Sequence, residues 1–99
     1  MPREKDFEKK VKKFLDSLGS EVWYFKHWAG PYSQAGIPDI IACVNNNFVG
    51  IEIKAADGKP SALQIRNINR IKAAGGIGYI LYPKDFESFK QDINEILKE

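Results

Sequence analysis

The sequence predicts a single α/β domain, residues 1–99, in which helices flank a mixed sheet in the order α-β-β-β-α-β-α. The chain has 99 residues, 43% of them hydrophobic and 28% charged, which suffices for one globular core and is too short for two. Apolar residues recur with helical spacing in three stretches and gather in short runs in four others. A strand, a helix and a strand follow in succession late in the chain, which favours a parallel pair joined by a right-handed crossover.

The first stretch, residues 4–18, is predicted to be an amphipathic helix. Its apolar residues fall at spacings that place them on one face, and Gly19 follows as a stop signal. The residues of this face are Phe7, Val11, Phe14, Leu15 and Leu18.

The next part of the chain predicts three strands. Residues 21–28 are rich in aromatic and β-branched side chains, which favours a strand, and residues 29–36 contain the glycine and proline of a loop. Residues 37–44 form a second apolar run, and three asparagines, 45–47, predict a tight hairpin. The return strand, residues 48–54, is therefore expected to be antiparallel to the second one.

The last part predicts helix, strand and helix. Ser61 is a candidate N-cap for a helix over residues 62–74. We expect this helix to bury one face through Ile65, Ile68 and Ile71. Residues 77–82 predict a fourth strand parallel to the third, and Asp85 is a candidate N-cap for a final amphipathic helix.

Composition restricts the possible functions. The net charge is only +2, so charge alone neither indicates nor excludes nucleic acid. With one cysteine, Cys43, and one histidine, His27, the chain lacks the ligands of a cysteine- and histidine-based zinc site. We expect Cys43 to be a small buried residue and the protein to be cytoplasmic, with no membrane span.

The residues that carry chemistry are Asp39, Glu52 and Lys54. Asp39 stands where the second strand begins, and Glu52 and Lys54 lie two apart on the return strand, so they share one face. That face is expected to point outward or into a cleft, because Ile51 and Ile53 occupy the other one. The hairpin should bring Asp39 close to the pair. Two neighbouring carboxylates favour a hard divalent cation, and a lysine beside it suits phosphodiester hydrolysis.

The spacing alone is weak evidence, because an acid two residues before a lysine occurs three times in this chain. Only one instance, Glu52/Lys54, lies on an apolar strand; the other two are Glu8/Lys10 and Asp57/Lys59. The ordinary alternatives are a turn-forming Asp39 and a solvated strand face.

The motifs Gly36-Ile37-Pro38-Asp39 and Ile51-Glu52-Ile53-Lys54, followed by Gln64 early in a helix, resemble the PD-(D/E)XK nuclease superfamily. More narrowly they resemble its VRR-NUC branch, whose members are similar in scale to Holliday junction resolvases. The resemblance covers nearly the whole chain and implies a restriction-endonuclease-like fold.

The resemblance also implies roles for these residues. Asp39 and Glu52 would ligate Mg²⁺ or Mn²⁺, Lys54 would position the attacking water, and Gln64 would steady the site or the DNA backbone. The family commonly adds a metal-ligating glutamate from the first helix. Glu8 fits this role, and Glu4, one turn earlier, is a rival.

We expect four residues to contact DNA. Tyr32 and Ser33 lie in the loop before the proposed centre, where a flexible segment could grip the substrate, and Lys59 lies in the loop before the second helix. Lys26 lies on the first strand, and strand alternation places Tyr24 and Trp28 on its face, which is either wet or in contact with DNA.

The sequence therefore predicts a Mg²⁺- or Mn²⁺-dependent DNA endonuclease. By resemblance its substrate is branched DNA such as four-way junctions, and its small size favours a homodimer. The alternative is a DNA-binding or adaptor module that keeps the nuclease fold without cleavage. An unrelated metabolic α/β domain is disfavoured, because no phosphate-binding glycine loop follows a strand.

Overall fold

A computed structural model describes residues 3–99 and confirms the predicted α/β class and element order; the first two residues of the predicted domain lie outside the described part. Three α-helices and four strands are joined in sequence, with one 3₁₀ turn before the last helix. The elements are α1 (Glu4–Asp16), β1 (Val22–Lys26), β2 (Ile40–Val44), β3 (Asn47–Ile53), α2 (Ala62–Ala73), β4 (Ile77–Leu81), the 3₁₀ turn (Pro83–Asp85) and α3 (Phe86–Leu97).

The four strands form one mixed sheet in the order β1-β2-β3-β4. The pairs β1–β2 and β2–β3 are antiparallel, and β3–β4 is parallel, as the crossover through α2 predicts. Strand β3 is therefore hydrogen-bonded on both edges, and the side chains near its end are held by neighbours on either side.

The β2–β3 hairpin turns on two residues rather than three. Asn45 and Asn46 have φ of 46° and 73°, the left-handed values that asparagine tolerates in two-residue hairpin turns. Asn47, predicted to lie in the turn, instead begins β3 and pairs with Val44. Strand β2 also begins later than expected, at Ile40, because the segment before it contains Pro38, which has no N–H to donate to a strand ladder.

One face of the sheet packs against α1 and α3 to form the core. Burying such apolar side chains stabilises the fold by about 1.5–3 kcal/mol each. The sheet contributes alternate residues of β2 and β3, and the helices contribute their apolar faces, so the predicted face of α1 is confirmed for its three fully buried members. The buried residues are Phe7, Val11, Leu15, Ile40, Ala42, Val44, Val49, Ile51, Ile53, Leu81, Phe89 and Ile93.

The opposite face is covered by α2 over β3 and β4. Gly50 allows this close approach, since a Cβ there would lie 2.7 Å from the Ile71 Cδ1 and 3.3 Å from the Pro38 Cγ. Helix α2 leaves β1 and β2 open, so Cys43, expected to be buried, is exposed. Ile65 was likewise expected to be buried and is 41% exposed, because only Ile68 of this helix is buried in the protein interior.

Residues 3–99 contain no helix with the length and apolar composition that a bilayer crossing requires.

Candidate active site

The predicted site residues lie at the end of the sheet where β1 and β3 finish and β2 begins. The register aligns Lys26, Ile40 and Ile51 across three strands. Asp39 and Glu52 come directly after this row, so their backbones are neighbours in adjacent strands. The hairpin thus brings together the two acids that the sequence places thirteen residues apart.

Asp39 is held in place by its own side chain. Strand β3 runs two residues past the β2 partner of Ile51, and the Asp39 Oδ2 accepts a hydrogen bond of 2.8 Å from the Ile53 backbone N–H. The Asp39 carbonyl accepts a second bond of 2.8 Å from the His27 N–H. The carboxylate therefore takes the place of a missing strand partner, which fixes its position at the end of the sheet.

Glu52 is buried, with only 2% of its surface exposed. The expectation that Glu52 points outward or into a cleft was therefore wrong. Helix α2 and adjacent segments of the same chain cover the face of β3 that carries Glu52. Its Oε1 is buried without a hydrogen-bond partner among the described residues. Its Oε2 lies 3.5 Å from the Lys54 Nζ, which is an ion pair. Lys54 itself follows β3 and its backbone N–H donates to the Leu81 carbonyl at 3.0 Å.

Electrostatics shows that Asp39 and Glu52 affect each other directly. The pKa of Glu52 is raised to about 7, chiefly by burial and next by the nearby Asp39 charge, while the Lys54 charge opposes the shift. A carboxylate that is buried, next to another carboxylate and short of hydrogen bonds is stabilised by a cation. The structure thus brings Asp39, Glu52 and Lys54 together; their catalytic roles stay a prediction.

The first helix reaches this site through Lys26 at the end of β1. The Lys26 Nζ lies 2.7 Å from the Glu8 Oε1 and 3.3 Å from the Asp39 Oδ1. Burial alone would lower the pKa of Lys26, but the Glu8 hydrogen bond and the Asp39 charge outweigh it and raise the pKa above its usual value. Lys12, one turn along α1, contacts the other Glu8 oxygen at 3.3 Å.

Both candidate acids of α1 face the site. Glu8 is in direct contact with Lys26, whereas Glu4 is exposed at the rim. Partial burial and the Asp39 charge nevertheless raise the pKa of Glu4. The charge of Lys54 partly offsets this increase. The structure therefore gives Glu8 the closer position.

Gln64 has a different contact from the one the resemblance implies. Its Oε1 accepts a 2.8 Å bond from the Ser61 N–H, and the Ser61 Oγ accepts a 3.1 Å bond from the Gln64 N–H. This is a capping box at the start of α2, and it confirms Ser61 as the N-cap. Within the described residues, the side-chain hydrogen bond of Gln64 goes to Ser61 rather than to Asp39 or Glu52.

The residues expected to contact DNA are spread around the site. Tyr32 is fully exposed. The Ser33 hydroxyl accepts a 2.7 Å bond from the Gly30 N–H and donates one of 2.8 Å to the Gly30 carbonyl, so it shapes the loop before Asp39. Lys59 lines an open cavity of about 490 Å³ whose other residues include Tyr82 and Lys84. Lys26 lies inside the acidic site, as described above.

Tyr24 and Lys26 of the predicted face contact α1, whereas Trp28, just beyond β1, is exposed. The Tyr24 hydroxyl donates a 2.8 Å bond to the Asp16 Oδ1, and its ring packs at the margin of the core. The ion pairs of Lys26 were not predicted, because its face of β1 was expected to contact water or DNA rather than α1. The available signal was strand alternation, since a lysine on the face that covers α1 must find an acid of that helix.

The donor set suits a divalent cation. Within residues 3–99, no three histidine, cysteine, aspartate or glutamate side chains are grouped closely enough to hold a metal ion as they stand. Lysine ammonium groups contact the carboxylates instead. The buried, unpartnered Glu52 oxygen beside Asp39 still fits a hard cation, because Mg²⁺ prefers carboxylate oxygens. Asp39, Glu52 and Glu8 are the residues that could hold it.

A family model for the archaeal Holliday junction resolvase (Hjc) matches residues 2–82. The match spans α1 through β4, and therefore every residue of the site. No curated protein matches the chain. The Hjc family lies within the PD-(D/E)XK superfamily, while the narrower VRR-NUC resemblance is not confirmed by this match. Because this match covers most of its sequence, the chain belongs to the archaeal Holliday junction resolvase (Hjc) family of nucleases.

Proposed function

We propose that this chain is a single-domain, divalent-metal-dependent endonuclease that cleaves branched DNA such as four-way junctions. Glu52 carries the proposal. It is a carboxylate on a central strand, 2% exposed, with one oxygen unpartnered and with Asp39 as its neighbour. Such an arrangement is unfavourable for folding, and active sites are where unfavourable buried charge is retained.

Asp39, Glu52 and Glu8 would hold the cation. When bound, Mg²⁺ or Mn²⁺ supplies Lewis-acid chemistry, making water more acidic and offsetting negative charge on a phosphoryl oxygen. The Ile53 N–H fixes the Asp39 carboxylate, so this ligand is preorganised.

Lys54 is the proposed positioning group for the attacking water. Its ammonium is held beside Glu52, and its backbone is fixed by β4. Hydrolysis adds one water across one P–O bond and leaves a phosphate terminus and a hydroxyl terminus. A fixed ammonium stabilises the negative charge that develops at phosphorus oxygens during this reaction. Gln64 would support the site from the start of α2.

The proposed DNA contacts surround this centre. Tyr32 and Ser33 lie on the loop that leads to Asp39, and Lys59 lies in the loop that follows Lys54. An exposed tyrosine can stack on unpaired bases, and lysines neutralise phosphates. Lys26 would act closer to the scissile phosphate.

A homodimer is the proposed assembly. Resolving a junction requires two cuts, and one chain of this size offers one centre. The sheet face left open by α2 exposes apolar side chains, and such a patch on a small protein favours a protein partner. Trp23 is 64% exposed there, and it is continuous with Phe25, Cys43 and Phe48 through the strand register.

The test is cleavage of a labelled four-way junction and of a linear duplex of the same sequence, with Mg²⁺, Mn²⁺ or EDTA. We expect cation-dependent cleavage of the junction that is lost in Asp39→Asn and Lys54→Met. Asp57→Asn is the matched control, because it changes the same residue type in a loop outside the site. Junction binding without cleavage under all conditions would instead favour the non-cleaving module.

A further inference from the structure

Lys26 makes the most unusual contact of the site. Its ammonium bridges acids from two different elements, at 2.7 Å from the Glu8 Oε1 on α1 and 3.3 Å from the Asp39 Oδ1 before β2. Its side chain is only 17% exposed. An ammonium held by two partly buried carboxylates is strongly attracted, because screening by water is weak there.

The two oxygens that Lys26 contacts are oxygens that a divalent cation would need. The other Asp39 oxygen already accepts the Ile53 N–H, so Oδ1, which accepts no backbone N–H, is the oxygen more available to an ion. A divalent cation and an ammonium repel each other at such distances. The two cations therefore compete for Glu8 and Asp39.

We infer that Lys26 is a positioning residue that serves as an internal counter-cation, which holds Glu8 and Asp39 in the metal-free protein and sets the affinity for Mg²⁺ by being displaced. This inference rests on the proposed metal-dependent function. Lys26 lowers the affinity for the ion, and in exchange it keeps the acids of α1 and the sheet together when no ion is bound.

The structure also offers the displaced ammonium a second partner. Lys26 Nζ lies 5.6 Å from the centre of the Trp28 ring, within the range of a cation–π contact. Trp28 is 76% exposed and begins the loop that carries Tyr32 and Ser33. Movement of Lys26 towards this ring would therefore link occupancy of the ion site to the loop proposed to contact DNA.

The experiment is calorimetric titration of Mg²⁺, and separately of Mn²⁺, into the wild-type chain, Lys26→Met and Lys12→Met without DNA. Lys12 is the matched control, since it contacts Glu8 at 3.3 Å and, in the ion pairs of residues 3–99, no second acid. We expect Lys26→Met to lower the Kd for the ion at least about tenfold and Lys12→Met less than about threefold. Lys26→Gln, which retains an N–H donor for the acids, gives the same comparison if Lys26→Met does not fold.

Two further readouts accompany the titration. In a Trp23→Phe background, Mg²⁺ should change the fluorescence emission of Trp28, and the Kd from this titration should equal the calorimetric Kd. Lys26→Met should abolish the change in emission. Without metal, Lys26→Met should have a lower Tm than the wild type, and Mg²⁺ should raise its Tm further than that of the wild type.

The outcomes separate this inference from the function it rests on. Wild-type binding with an unchanged Kd in Lys26→Met, or equal tightening in Lys26→Met and Lys12→Met, overturns the inference alone. Binding that appears only in Lys26→Met supports it. Absence of binding in every variant overturns both the inference and the proposed metal centre.

Discussion

Two regions of this protein carry the same acid-x-lysine spacing and are physically unlike. Glu52 lies near the end of a central strand and Lys54 lies just beyond it; the two form an ion pair of 3.5 Å and are buried or nearly so. Asp57 and Lys59 lie in the following loop, are exposed, and line an open cavity. The spacing therefore does not distinguish the two regions; burial and a neighbouring carboxylate set the strand pair apart.

The largest expected difference between the two regions is in cleavage. Glu52→Gln removes a charged oxygen from the proposed centre and should lower the rate of junction cleavage about a hundredfold or more. Asp57→Asn should leave the rate within about twofold. Single-turnover cleavage at saturating protein measures both. Similar losses in the two variants would mean that the strand pair has no special role.

The lysines of the two regions should separate chemistry from binding. Lys54→Met should slow single-turnover cleavage about a hundredfold while the Kd for the junction changes little. Lys59→Met should weaken binding and reduce the slope of log Kd against log salt concentration by about 1, because one phosphate contact is lost. Binding isotherms at several salt concentrations give both numbers; a binding defect in Lys54→Met with normal cleavage would reverse the assignment.

Because Glu52 is buried, the stability of the metal-free protein should depend on pH. The pKa of this carboxyl is raised from 4.5 to about 7 in the folded protein, so the folded state holds the proton more tightly than the unfolded chain. The resulting stabilisation is present below pH 4.5 and is lost as the pH rises through 7.

Thermal unfolding in EDTA measures this effect. Glu52→Gln should unfold at a Tm at least about 4 °C above the wild type at pH 8, and the advantage should shrink at pH 5. Glu87→Gln is the control, since Glu87 is 81% exposed in its pair with Lys90 and should show no such pH dependence. If the wild-type Tm does not change from pH 5 to pH 8, folding does not raise the pKa of Glu52.

The smallest effect is expected for the third instance of the spacing, Glu8 and Lys10. On a helix, residues two apart do not face each other, and Lys10 is exposed to solvent. Lys10→Gln should change cleavage less than about twofold in the single-turnover assay. A large loss would show that the surface of α1 around Lys10 contacts the substrate.

Much of the fold follows from the sequence because it depends on local pattern. The stripe of α1, the asparagine turn and the Ser61 cap each depend on residues within a few positions of one another. The proximity of Asp39 to Glu52 follows too, since one short hairpin joins them.

The burial of Glu52 could not be predicted, because it depends on where α2 lies over β3. The same placement leaves Cys43 and Ile65 exposed, and periodicity does not report it. The ion pairs of Lys26 could not be predicted either, because they depend on the relative positions of β1, α1 and the segment before β2.

The hydrogen bond that Asp39 accepts from the Ile53 N–H gives this carboxylate a structural role that is separate from its proposed role in binding an ion. An asparagine at this position still presents a carbonyl oxygen to that amide, so the end of the sheet would survive the exchange of one oxygen for an NH₂ group. The negative charge that the proposed ion site requires would be lost. If the proposed metal centre is correct, a single base change would therefore abolish cleavage and leave a well-folded protein that retains its surface for DNA.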